Sequence, residues 1–145
     1  MSTNRSSLHQ GLSELQELAG STAASKGFHD DRPDSFTSAD RRDLANWQGN
    51  KLLLIVSEVI EAHDEIRTGH AADETYYPSA GADPITQHSK LAQGLKPEGV
   101  PSEIADAVIR CFDFAYTEGF SLADIIIEKL QYNATRERMH GGKAF

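Results

Sequence analysis

The feature that most constrains this chain is the segment 101–118. Ile104, Ala105, Ala107, Val108, Ile109, Cys111, Phe112, Phe114, Ala115 and Tyr116 cover most of the circumference of any helix it forms. A helix that apolar is buried on most sides. Four charged residues nonetheless interrupt it: Glu103, Asp106, Arg110 and Asp113. At about 100° per residue these four fall on one narrow stripe, with Asp113 about 20° from Asp106. The fold has to find a partner for that stripe.

The segment 39–68 repeats the pattern. Leu52, Ile55, Val56, Val59, Ala62 and Ile66 recur at i, i+3, i+4, i+7 spacing and predict a buried stripe. Glu58, Glu61 and Glu65 form a second stripe beside it, and Lys51 lies on that stripe one heptad before Glu58. Glu58 and Glu61 are three apart, as are Glu103 and Asp106. Each pair therefore points its carboxylates the same way. If the two stripes face each other, four carboxylates meet, at a desolvation cost of several kcal/mol per ion. A hard divalent cation removes the repulsion. Mg²⁺ prefers carboxylate oxygens, keeps some waters and shares its shell with substrate phosphates. Glu58, Glu61, Glu103 and Asp106 are accordingly the candidate metal ligands and catalytic acids. The plainer alternative is a set of solvated helix faces. It suits Glu103 and Asp106 less, because their helix leaves little face to expose.

Helix signals dominate elsewhere too. Leu8, Leu12, Leu15, Leu18 and Ala19 predict a helix over 7–24, ended by Gly27. Pro33 and several Asp residues make 28–37 a loop. The next helix starts near Ser38 or Ala39, with Ser38 as N-cap, and closes at Gly69. Gly49 is placed to kink or divide it. Pro78, Gly81, Pro84, Gly94, Pro97 and Gly99 make 70–100 a long loop, with a short helical turn expected near 85–91. Pro101 suits the first turn of the third helix, which Gly119 stops. Ser121 caps a fourth helix over 122–138, ended by Gly141 and Gly142. The short Gly119-Phe120-Ser121 connection makes the last two helices antiparallel neighbours. The expectation is an all-α four-helix bundle in one domain, 1–145, completed by oligomerisation.

Composition narrows the function. The longest apolar run, 52–56, falls far short of the ~20 residues a spanning helix needs, so no membrane partner is expected. Residues 1–10 are polar and carry no apolar signal core. Cys111 has no second cysteine to pair with and reads as a buried thiol in a reducing compartment, with the cytoplasm as default location. The net charge of −8 argues against nucleic acid, which needs a basic footprint. It does not argue against a polyphosphate held through metal ions.

Glu58-Val59-Ile60-Glu61-Ala62, followed by Glu103-Ile104-Ala105-Asp106, resembles the paired acidic motif of the MazG-like nucleotide pyrophosphohydrolases, in the all-α NTP pyrophosphatase superfamily. Ser57 stands where that motif has the first of two adjacent Glu residues. The tail is similar as well: Lys129, Tyr132, Asn133, Arg136, His140, Gly141 and Lys143 match the family's closing segment. Lys26-Gly27-Phe28 and the acidic loop after it resemble the stretch before the first acidic helix. Together these matches span roughly 8–143, with 70–100 the least similar part.

The resemblance implies hydrolysis of an NTP or dNTP to nucleoside monophosphate and pyrophosphate. Mg²⁺ would sit on Glu58, Glu61, Glu103 and Asp106, with an oriented water attacking in line and Glu61 one candidate for its base. Lys129, Asn133, Arg136 and Lys143 would steady the phosphates. Residues 129–145 hold four Lys/Arg against one Glu, which suits anion contact; basic residues decorating a helix C-terminus are the plain alternative. Trp47 is a candidate to stack on the base, or else a core or interface tryptophan. Lys51 and Asp113 are second-rank site candidates, and His63 and Asp64 are expected at the surface. The apolar third helix and the family's habits both imply a homodimer or homotetramer, whose tail serves a neighbouring site. dUTP and phosphoribosyl-ATP are the related substrates to weigh. A di-iron bundle needs Glu-x-x-His on two helices, and only Glu137 with His140 offers one. A non-catalytic helical interaction module is the remaining alternative.

Overall fold

The structure is a computed structural model. It describes residues 2–78 and 94–136, with side chains from residue 5 onward. Within them the chain is all-α: α1 is Ser2–Ser25, α2 Ser38–Arg67, α3 Val100–Glu118 and α4 Leu122–Ala134. One isolated antiparallel bridge joins Tyr76 and Glu98. No described helix is long and apolar enough to cross a membrane.

The helix ends follow local chemistry. α1 begins earlier than its apolar periodicity indicates, since nothing in residues 2–6 is a breaker. α2 is capped by Thr37, one residue before the expected Ser38. Thr37 Oγ1 accepts from the Asp40 amide at 3.1 Å, and Asp40 Oδ2 accepts from the Thr37 amide at 2.9 Å. This reciprocal pair needs an acid three residues after the cap, and Asp40 stands at that distance from Thr37 only. Gly49 neither breaks nor divides α2; one glycine costs a long helix about 1 kcal/mol, which its remaining bonds outweigh. At the C-terminus Gly69, with φ +103°, lets the amides of Gly69 and His70 return to the carbonyls of Ile66 and Glu65. Pro101 sits in the first turn of α3, and Ser121 caps α4 by accepting from the Asp124 amide at 3.2 Å. α4 ends at Ala134, four residues short of the expected 138, with Thr135 as its C-cap, whose amide returns to the Tyr132 carbonyl at 3.0 Å; the expected turn at 85–91 and the glycines at 141 and 142 lie outside the described residues.

The chain divides into two compact units. One combines the residues up to Asp31 with those from Phe112 onward, and the other is Arg32–Cys111. In the first, α1 packs on α4, with Ala19, Phe112, Ala115 and Ala123 buried. A Cβ on Gly20 would collide with the Tyr116 ring, so this glycine permits the close approach. Gln16 clasps the α3–α4 turn, donating to the Phe120 carbonyl at 2.8 Å and accepting from the Leu122 amide at 3.0 Å.

The second unit holds α2 and the first part of α3, and its polarity is inverted. The apolar stripe expected to be buried along α2 is mostly exposed: Leu52 at 47%, Val56 at 51%, Val59 at 50% and Ile66 at 52%, with Ile55 half-buried and Ala62 alone buried. α2 instead buries Trp47, Glu58 and Ala62. On α3, Ile104, Val108 and Ile109 are likewise exposed while Glu103 is buried. Each helix turns part of its charged stripe inward, Glu58 on α2 and Glu103 on α3.

The cap assignment is open to a direct check. Thr37→Ala lowers the unfolding free energy by about 1 kcal/mol in urea melts, while Ser38→Ala leaves it within the scatter. A larger loss at Ser38 would move the cap.

Candidate functional site

Glu103 lies in the first turn of α3, where the exposed amides of a helix start favour an acid. Its position is fixed from the residues before it. The Glu103 amide donates to the Gly99 carbonyl at 3.2 Å, and Ser102 Oγ donates to the Pro97 carbonyl at 2.9 Å. Gly99 has φ +103°, and a Cβ there would collide with the Glu74 carbonyl oxygen. No other residue fits that crossing. Two backbone hydrogen bonds between Tyr76 and Glu98, 3.1 and 2.9 Å, tie the strand of residues before Gly99 to the one after α2.

Tyr76 then locks this clasp to α2. Its hydroxyl lies 3.2 Å from both carboxylate oxygens of Glu65, and its ring stacks on His70 with centroids 4.5 Å apart. His70 Nδ1 and the Ala71 amide both reach Glu74 Oε2 at 3.1 Å, which holds the Glu74 carboxyl below its ordinary value, chiefly through the Ala71 amide. Glu65 therefore serves the clasp.

The two charged stripes meet at one point. Glu58, Glu103 and Asp106 each offer a carboxylate oxygen, all within 4.8 Å of one another; the first two residues are buried and the third half-buried. Arg110 Nε donates to Glu58 Oε1 at 2.6 Å. Among the described residues no hydrogen bond or ion pair engages the carboxylates of Glu103 or Asp106. Burial pushes the Glu103 carboxyl above its ordinary value, and the negative charges of Glu61, Asp106 and Glu58 push it further, with Lys96 opposing weakly. Lys96 Nζ pairs with Glu98 at 2.9 Å, and that bond raises the amine, helped by the charges of Glu98, Glu103 and Asp106.

Three of the four expected acids thus come together. Glu61 is exposed and lies outside the group of three, although its charge bears on Glu103. Trp47 is buried, with the Lys51 ammonium 4.8 Å and the Arg32 guanidinium 5.9 Å from its ring centroid. Asp113 belongs to the other unit, where its Oδ1 lies 2.7 Å from His29 Nε2. Lys129, Asn133 and Arg136 are exposed, Lys129 with its ammonium 5.4 Å from the Tyr132 ring. Lys143 lies outside the described residues. His63 and Asp64 are exposed, as expected.

Sequence reasoning placed Arg110 on the acidic stripe and gave it no role. Its spacing, four after Asp106 and seven after Glu103, carried the signal. Lys96 and Tyr76 sit in a connection without periodicity, where no pattern marks them. Three carboxylates against one guanidinium leave two negative charges. The group can accept one divalent cation, or relieve part of the repulsion by keeping a proton on Glu103.

Comparison with protein-family models, curated proteins and solved structures finds no match to this chain. The functional reading therefore rests on the residues and their geometry.

The raised Glu103 value makes a signed prediction for the metal-free protein. A carboxyl with a raised folded value binds its proton more tightly folded than unfolded. Its contribution is present below the ordinary value of 4.5 and is lost as pH rises through the raised one. Glu103→Gln removes that dependence. In chelator, urea melts from about pH 4 to about pH 7 will show Glu103→Gln gaining on the wild type as pH rises. Parallel pH curves would mean that Glu103 feels no such environment.

Proposed function

We propose that this chain is a Mg²⁺-dependent nucleoside triphosphate pyrophosphohydrolase of the MazG-like kind, cleaving an NTP or dNTP to nucleoside monophosphate and pyrophosphate. The observation that carries the reading is the convergence of Glu58, Glu103 and Asp106 from two helices into a partly buried group with unmatched negative charge. The donor set suits the ion. Mg²⁺ takes hard oxygens at about 2.0–2.1 Å, so ligands on opposite sides lie about 4.2 Å apart. A spread of up to 4.8 Å closes by small side-chain rotations. Held by Glu58, Glu103 and Asp106, Mg²⁺ would supply positive charge to the phosphates and make the α-phosphorus more electrophilic.

The chain's own groups supply the rest. Arg110 holds Glu58 in place through a charge-assisted hydrogen bond. Glu61, exposed and one turn from Glu58, is our choice to orient the attacking water and accept its proton. The water oxygen bonds to the α-phosphorus as the bond to the bridging oxygen breaks, and pyrophosphate leaves. Lys129, Asn133, Arg136 and Lys143 are assigned to phosphate from the resemblance of the tail, and Trp47 is not needed for it.

One observation favours a second reading. The 2.6 Å Arg110–Glu58 pair is what a purely structural polar core would also contain, and a non-catalytic helical interaction module would use the acids in that way alone.

Pyrophosphate release from a panel of NTPs and dNTPs, with and without Mg²⁺, separates the two. The expected result is Mg²⁺-dependent release, lowered in Asp106→Ala by at least the about 10–100-fold that loss of an outer-shell partner costs a metal site. Lys129→Ala and Arg136→Ala are expected to raise KM. Absence of release from every nucleotide would overturn the enzyme reading, and release that survives Asp106→Ala would overturn the metal site.

A further inference from the structure

Arg110 spends only part of its guanidinium on Glu58. Among the described residues its one hydrogen bond runs from Nε to Glu58 Oε1, at 2.6 Å. The N–H groups of Nη1 and Nη2 engage no acceptor there, and the side chain stays 42% exposed. A guanidinium carries its donors in a flat, fixed fork whose edges match the oxygens of a phosphate. Because Glu58 holds the Nε side, the Nη1–Nη2 edge is presented in a set orientation at the rim of the three-acid group. Inside that group Glu103 is 5% exposed, and no donor among the described residues engages its carboxylate. Rim and interior thus hold unanswered polar groups of opposite sign. A polyphosphate carried with a divalent cation answers both.

The hydrogen bonds of this unit also fix a direction. Glu58 pairs with Arg110, late in α3, whereas Glu65, about two turns further along α2, is tied through Tyr76 to Glu98, just before α3. The two helices therefore run antiparallel. Glu61, about one turn after Glu58, stands toward the start of α3, and its charge acts on Glu103 more strongly than those of Asp106 and Glu58. Arg110 stands at the opposite end of the group, about 10 Å beyond Glu103 along α3.

We propose that Arg110 is itself a substrate-binding residue: its Nη1–Nη2 edge grips the pyrophosphate half of the nucleoside triphosphate and stabilises it as it leaves. This rests on the nucleotide reading of the three-acid group, with Glu61 as the base. Displacement at phosphorus is in line, so the attacking water and the expelled bridging oxygen lie on opposite sides of the α-phosphorus. The water oxygen bonds to phosphorus and its proton passes to Glu61. The electron pair of the breaking P–O bond stays on the bridging oxygen, which departs with the pyrophosphate. With Glu61 toward the start of α3, that oxygen faces the other way, toward Arg110. Negative charge grows there as the bond breaks, and donors already fixed in place stabilise it without reorganising. Lys96 is the other cation whose charge reaches Glu103. It precedes α3, on the water's side, and its ammonium is 2.9 Å from Glu98.

Titration calorimetry on the full chain reads the assignment without turnover. The ligands compared are Mg²⁺ alone, inorganic pyrophosphate with Mg²⁺ present, and, also with Mg²⁺, the monophosphate of a nucleotide that the wild type cleaves. Arg110→Gln keeps a donor for Glu58 but loses the charged fork. It should weaken pyrophosphate by about 10–100-fold, the worth of hydrogen bonds to a charged group. Mg²⁺ should bind no more weakly than before, and the monophosphate close to its wild-type value. Lys96→Ala should change pyrophosphate binding far less. Unchanged pyrophosphate binding in Arg110→Gln overturns the inference and leaves the nucleotide reading standing. So does a comparable loss for all three ligands, the mark of an arginine that acts only through Glu58, and so does a larger pyrophosphate loss in Lys96→Ala. A wild type that releases pyrophosphate from no nucleotide fails at an earlier step and overturns both. If Arg110→Gln loses its helical circular dichroism, Arg110→Lys, which keeps the charge beside Glu58 without the fork, is measured in its place with the same ordering expected.

Discussion

The ion pair between Arg110 and Glu58 sets the arrangement of the second unit. Its two partners sit on different helices, 52 residues apart in sequence, and its 2.6 Å contact is charge-assisted. The pair is half-buried: Glu58 is taken out of water while the Arg110 side chain stays 42% exposed, so the contact adds little net stability compared with a well-packed apolar one. Removing the arginine is another matter, since the buried Glu58 carboxylate is then left without its partner. What the pair supplies is register. The Nε–H of Arg110 points in one direction, and Glu58 has to be at its end for α2 and α3 to meet. Once it is, Asp106 and Glu103 are carried to the same place, one and two turns along α3 from the arginine.

The inverted polarity of both helices follows. Each has an apolar and a charged stripe, and only one of them can face the neighbouring helix. With part of each charged stripe turned inward, the buried apolar groups of this unit are Trp47, Ala62, Val100 and Ala107, and no large side chain among the described residues is fully buried. Trp47 supplies most of that area, with Lys51 and Arg32 over its ring. The clasp of Tyr76 on Glu65 and the Tyr76–Glu98 bridge then act as local ties that hold the start of α3 in place. So small an apolar core leaves most of the hydrophobic side chains of α2 unused by its own unit.

This also explains how far the sequence could be read. Helix existence was legible, because apolar periodicity and the stops at Gly27, Gly69 and Gly119 act within a few residues. The acidic stripe of 103–113 was legible for the same reason, and so was the pairing of Glu103 with Asp106. The facing of α2 was not. Periodicity reports that a helix has two distinct faces, and the usual rule assigns the apolar one to the core. Leu52, Val56, Val59 and Ile66 break that rule because a charged pair and two further acids occupy the inner side. Thr37 was passed over for Ser38 because both residue types cap well, and only the reach of Asp40 separates them. Lys96 and Tyr76 act through a connection whose geometry depends on a crossing at Gly99, which no local pattern encodes.

The charges of the three-acid group also bear on which state of the unit is the weak one. Acids on a solvated face are indifferent to a divalent ion, since water already compensates them. Here two of the three are buried and, among the described residues, only Glu58 has a cationic partner, so the ion-free unit carries a repulsion that, together with burial, raises the Glu103 carboxyl above its ordinary value. On the proposed reading a bound ion removes that repulsion, and it adds its own linkage, about 2.7 kcal/mol at a hundred times the dissociation constant. The two effects share a sign. The ion-free protein is then the less stable form at neutral pH, and the difference comes from the same three side chains that would do the chemistry. A purely structural polar core has the opposite logic, because its acids would need compensation built into the chain, and Arg110 supplies only one charge toward three.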